Sequence, residues 1–152
     1  MEVFRLSRKK YAMDLSGIGS ALKGARWNST GIELIYTAAN RSLAMAEVAV
    51  HLTLATLPFD YVMTTIFIPD DIPIQELNPS DLPPDWNIFP PPAADQTIGD
   101  KFVSDKKYCV LKIPSVVTQG DYNLLINPYH PDFLNIKIIS TEKFPFDKRI
   151  FK

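Results

Sequence analysis

The chain is poor in the residues from which metal and nucleophile sites are most often built: one cysteine, Cys109, two histidines, His51 and His130, and six glycines in 152 residues. A single thiol excludes a disulfide framework, and within the apolar run YCVLKI Cys109 reads as a small buried hydrophobe suited to a reducing cytoplasm. With so few nitrogen and sulfur ligands and no HExxH or CxxC spacing, no bound metal is expected. The formal net charge of −1 creates no field that would gather nucleic acid or anionic lipid, so direct contact with either is not expected. No run approaches the roughly 18–20 apolar residues of a membrane span, and MEVFRLSRKK at the start carries charge where a signal peptide has its apolar core. The expected location is the cytoplasm.

What is present suits one domain over residues 1–152, long enough to bury a sizeable core. Strand patterns fall at 2–7, 32–38, 60–69, 108–113, 122–127 and 135–140. Asn40 is placed to cap a helix running to about Leu54, with a second short helix at 94–105. The first of these helices is apolar almost all round: Leu43, Val50 and Leu54 share a stripe with Glu47, while Met45, Val48 and Leu52 cover the other side. It is therefore expected to be central, with Glu47 partly buried. The proline-rich stretch 69–92 reads as a long ordered excursion anchored by Trp86, Ile88 and Phe89. Strands outside βαβ alternation and few helices predict an α+β fold with a compact mixed β core.

Four of the six glycines, Gly17, Gly19, Gly24 and Gly31, fall within fifteen positions around Arg26 and Trp27. The segment is not a P-loop, because no Lys-Ser/Thr pair follows Gly24, and Gly17-Ile18-Gly19 lacks the third glycine of a dinucleotide fingerprint. Arg26, Tyr36 and Glu47 remain as candidates. Each has a structural reading, as salt bridge, strand aromatic and paired core carboxylate. Each also has a functional one, since a carboxylate on an apolar helix needs a cation, a donor or a ligand to hold its charge.

Five ordered motifs, GARWN (24–28) with Gly31, IYTA (35–38), LAMAEVAVHL (43–52), IPSVV (113–117) and NPYHPDF (127–133), resemble those of the RES domain family. The resemblance implies a fold similar to ADP-ribosyltransferases, NAD as substrate rather than a permanently bound cofactor, and a toxin paired with an Xre-type helix-turn-helix antitoxin that caps the pocket. It also implies a homodimer. Position by position, it makes Arg26, Tyr36 and Glu47 the catalytic set, with Ser115, Trp27, Asn28 and Asn127 as further substrate-binding candidates. One departure stands out: Gly24-Ala25 replaces the paired glycines of many relatives, a cost of about 1 kcal/mol if residue 25 needed a positive φ.

On this reading the glycines let backbone N–H groups approach a diphosphate, and Arg26 adds a bidentate clamp. Tyr36 stacks on nicotinamide and orients ribose through its hydroxyl, Trp27 either stacks on a ring or anchors packing, and Ser115 makes a positioning hydrogen bond to ligand or Glu47. Glu47 stabilises the oxocarbenium-like centre formed when nicotinamide departs as a neutral molecule, so no second acid is required. Water, inorganic phosphate or a protein side chain are all open as acceptor, and a non-catalytic interaction domain is the alternative from another class. His130 is expected to fix its turn, His51 to neighbour the site or pack, and Lys23 and Arg41 to be solvated.

Overall fold

β-branched and aromatic runs form seven strands: β1 (Glu2–Arg8), β2 (Ile35–Ala38), β3 (Tyr61–Phe67), β4 (Ile74–Glu76), β5 (Val110–Pro114), β6 (Tyr122–Ile126) and β7 (Lys137–Lys143). In this computed structural model, which describes residues 1–151, they make one sheet in the order β4-β5-β6-β2-β1-β3-β7. All neighbours are antiparallel except β4 and β5, so the α+β class with a mixed sheet is what the chain adopts. Leu124, Leu125 and Ile126 are consecutive on β6 and all fully buried, so the central sheet is covered on both faces. Leu124 and Ile126 join Val3, Ile35 and Ile66 on one side; Leu125 joins Leu111, Ile113 and Trp27 on the other.

Three helices, α1 (Ile18–Lys23), α2 (Arg41–Ala49) and α3 (Ala93–Asp105), accompany the sheet. Asn40 caps α2 as expected, its Oδ1 accepting the Leu43 N–H at 2.8 Å. The helix ends at Ala49 rather than near Leu54, because Thr53 and Thr56 form a capping box that starts a separate 3-10 turn at Leu54–Thr56. Nor is α2 central. Only Leu43 and Ala44 are buried, packing on Leu6, Ala38 and Met63, while Val50 and Leu54 are exposed and Glu47 is half-buried.

Other boundaries also move. β2 starts at Ile35, not residue 32, because the preceding segment is held by α1: the Leu34 N–H donates to Ser20 Oγ at 3.2 Å. β7 runs over 137–143 rather than 135–140, because Pro131–Asn135 winds into a 3-10 turn. The proline-rich excursion contributes the unexpected edge strand β4 and is pinned by buried Ile72 and Leu82 and by Trp86 stacked on Trp27. Ile88 and Phe89, expected as anchors, are instead exposed.

α3 sets Phe102 and Val103 against Leu111, Ile113 and Leu125 and crosses the 25–29 turn at very short range. A Cβ on Gly99 would lie 1.5 Å from the Trp27 carbonyl oxygen, so only glycine permits this approach. Gly99→Ala is expected to destabilise the protein by about 3 kcal/mol or more, read from chemical denaturation, because the obstacle is backbone and has no rotamer to escape into.

Candidate functional site

A cavity of about 950 Å³ lies over the sheet between α2, the 24–27 turn and the Phe89–Pro91 part of the excursion. That is at the upper end of the ~300–1,000 Å³ usual for small-molecule sites. Arg26, Tyr36 and Glu47 all line it, as do Lys23, His51 and Gln96.

Arg26 sits at the apex of a tight turn closed by the Ala25 N–H donating to the Asn28 carbonyl at 2.9 Å. Gly24 enters it at φ +73°, while Ala25 needs no positive φ, so the Gly24-Ala25 departure costs no strain. Helix α3 grips the turn residue by residue. Gln96 Nε2 donates to the carbonyls of Ala25 (3.0 Å) and Asn28 (3.2 Å), and Asp100 accepts the Ser29 N–H (2.8 Å) and hydroxyl (2.5 Å). Arg26 Nη1 donates to the Trp86 carbonyl (2.8 Å) and to Asp95 Oδ2 (3.2 Å). Its Nε and Nη2 have no partner among the described residues. Asp95 is fully buried; desolvation pushes its carboxyl above the ordinary aspartate range, against the opposing pull of Arg26.

Glu47 is held from the far side. Ser115 Oγ donates to Glu47 Oε1 at 3.0 Å and accepts the N–H groups of Val117 and Thr118, each at 3.1 Å. A hydroxyl has one donor and two lone pairs, so Ser115 is fully committed and has no lone pair left for attack. The structure thus makes the Ser115–Glu47 bond and dispenses with Arg26 as the cation that holds Glu47: no ion pair joins those two among the described residues, although both face one cavity.

Several expected ligand contacts are internal braces instead. Asn28 is fully buried; its Nδ2 donates to the carbonyls of Ser20 (3.0 Å) and Ile32 (2.9 Å), leaving nothing for substrate. Asn127 is likewise buried, donating to the Val103 carbonyl (3.0 Å) and accepting the Tyr129 N–H (3.0 Å), away from the cavity. The Tyr36 hydroxyl donates to Asn28 Oδ1 (2.5 Å) and accepts the Trp27 N–H (3.1 Å), so it secures the turn rather than standing free for ribose. Burial raises its pKa, and it stays a phenol. Trp27 is 3% exposed, its ring stacked 6.2 Å from that of Trp86: a packing anchor, not a free stacking surface.

The glycine cluster is no cradle for a diphosphate. Gly24 alone lines the cavity, whereas Gly17 packs against Leu34, where a Cβ would come within 2.4 Å of its nitrogen. His130 Nδ1 accepts the Asp132 N–H at 3.1 Å and so fixes its turn. His51 is exposed at the cavity mouth, Lys23 lines it, and Arg41 pairs with Glu142. Burial pushes the Cys109 thiol up to about 12. Sequence reasoning missed Asp95, Gln96 and Asp100, all about 70 residues from the turn they hold.

Fold and site together define an α+β protein with a largely apolar cleft, in which a guanidinium and a carboxylate are held apart. The RES domain profile matches residues 2–147. "Toxin Res" of Photorhabdus laumondii is 35% identical, covering 100% of this chain and 98% of that one; "Toxin Res" of Yersinia enterocolitica is 32% identical, covering 99% of each. "Prs ADP-ribosylating toxin" of Sphingobium sp. (strain YBL2) is 34% identical over 96% of this chain and 92% of its own. A chain from the crystal structure of the M. tuberculosis MbcT–MbcA toxin–antitoxin complex superposes with a TM-score of 0.76, covering 94% of this chain and 83% of that one; at 19% identity this establishes the fold alone. The chain belongs to the RES domain family.

Because the Tyr36 hydroxyl satisfies two partners inside the protein, Tyr36→Phe is expected to cost about 1–3 kcal/mol in chemical denaturation without any ligand present. A hydroxyl used only for ligand would leave that stability unchanged.

Proposed function

We propose that the chain is the toxin of a toxin–antitoxin pair and acts by cleaving the nicotinamide–ribose bond of NAD. The observation that carries this reading is the cleft itself, where Arg26 and Glu47 line one cavity with no ion pair between them and each is fixed by a separate partner. The Nε/Nη2 edge of Arg26 is the fork that takes a diphosphate oxygen pair. Glu47, with Oε1 tied to Ser115, turns its remaining oxygen to the ribose carbon that gains positive charge. The bond to nicotinamide breaks with both electrons leaving on the ring nitrogen, which neutralises the pyridinium, so the leaving group needs no proton. The acceptor oxygen then bonds that carbon and releases its proton, if it has one, to solvent.

Water or inorganic phosphate as acceptor gives NAD hydrolysis or phosphorolysis. Transfer to a protein is the second reading, favoured by the name of the Sphingobium relative. The rim also fits a macromolecular cover: Val50 and Phe89 line the cavity while 60% and 85% exposed. An Xre-type antitoxin seated there is our proposal for the partner.

Incubating the purified protein with NAD, with and without phosphate, and weighing the products separates hydrolysis from phosphorolysis; a labelled cell lysate reveals protein ADP-ribosylation. Glu47→Gln and Arg26→Ala are expected to lower NAD loss at least about 100-fold, by analogy with removed electrostatic stabilisers. Ser115→Ala, which frees Glu47 without removing it, should lower it about tenfold. Full NAD loss in the Glu47 and Arg26 variants would discard the enzymatic reading.

A further inference from the structure

We infer that Asp95 is a positioning residue that holds Arg26 by its inner nitrogen, so that the Nε/Nη2 edge faces a diphosphate and the guanidinium cannot collapse onto Glu47; this rests on the NAD reading above. The helix dipole favours an acid in this first turn, but the usual capping bond that such a residue makes is not available. Asp95 is the third residue of α3, where an acidic side chain usually reaches back to the N-cap N–H. The N-cap here is Pro92, which has no N–H, and no side-chain cap bond is made.

Asp95 is also an expensive residue for packing. Its side chain is 0% exposed, and among the described residues its only side-chain partner is Arg26 Nη1 at 3.2 Å and its buried Oδ1 has none. An apolar side chain would fill the site without that burden. What the carboxylate supplies is direction. Arg26 Nη1 is shared between Asp95 and the Trp86 carbonyl, two acceptors from segments nine residues apart that converge behind the guanidinium. Three N–H groups, on Nε and Nη2, are left over, and Arg26 lines the cavity. Without Asp95 a mobile cation would share the cavity with Glu47, and the attraction between them would consume both charges.

A double-mutant cycle tests this. In a Glu47→Gln background, which blocks turnover, the affinities for NAD and for inorganic diphosphate are measured by calorimetry with and without Asp95→Asn, in the presence of Arg26 and of Arg26→Ala. Asp95→Asn is expected to weaken both ligands about tenfold when Arg26 is present and less than about twofold when it is absent. Equal weakening in both backgrounds, no weakening in either, or no binding of either ligand by the parent overturns the inference. If the cycle is coupled for diphosphate while the wild type leaves NAD intact, the positioning role stands and the NAD reading falls. Should Asp95→Asn fail to fold, Asp95→Thr takes its place in the same cycle.

Discussion

The close crossing of α3 over the Trp27 carbonyl governs the whole site. A helix can approach a carbonyl that closely only where it has no side chain, and Gly99 supplies the gap. Around it, Asp95 is one turn before Gly99 and Gln96 one turn before Asp100, so the three polar side chains flank the gap on one side of the helix. At that distance their short side chains reach Arg26, the carbonyls of Ala25 and Asn28, and Ser29. The same buried face of α3 continues through Phe102 and Val103 into the core, so the turn that presents Arg26 is referenced directly to the sheet.

Holding opposite charges apart in one cavity is a general difficulty, since at short range in a low dielectric they attract by several kcal/mol and cancel. Here each charge is mounted on its own element and given a private partner: Asp95 for Arg26, Ser115 for Glu47. Ser115 is itself locked by the N–H groups of Val117 and Thr118, so the Glu47 carboxylate is referenced to the end of β5 rather than to its own helix alone. A half-exposed helix suits this arrangement better than the central one its apolar surface suggested. Leu43 and Ala44 are buried in the core with Met45 and Val48 packed against it, while Ala44, Val48 and Val50 also line the cavity.

The sheet was largely legible in the sequence because its strands carry dense β-branched and aromatic runs, and Asn40 announced the start of α2 through a purely local cap. β4 was not, since three residues amid prolines give no period to read, and its strand character comes from parallel pairing with β5. Arg26 and Glu47 were found, but what holds them was only half seen. Ser115 came with a motif, whereas Asp95 and Asp100 lie about 70 residues from their partners. The amides of Asn28 and Asn127 look the same in a sequence whether they face ligand or backbone; full burial and saturated hydrogen bonds decide for backbone. A readable signal did exist on α3, where Asp95 and Gly99 stand at i and i+4 on the face that Phe102 and Val103 continue at i+7 and i+8, a carboxylate and a gap in an otherwise apolar buried stripe.

The proline-rich excursion completes the same logic. Proline removes N–H donors, so beyond the short ladder of β4 on β5 the segment must be tied down by side chains. Trp86 does this by stacking on Trp27, and in doing so it delivers its own carbonyl to Arg26 Nη1. The residues just beyond, Phe89 and Pro91, then form the outer wall of the cavity. One aromatic contact thereby couples three things that sit far apart in the chain: the turn bearing the guanidinium, the acceptor that orients it and the wall that encloses it. Loosening Trp86 would release all three together, whereas the Glu47 side, anchored through Ser115, would keep its geometry.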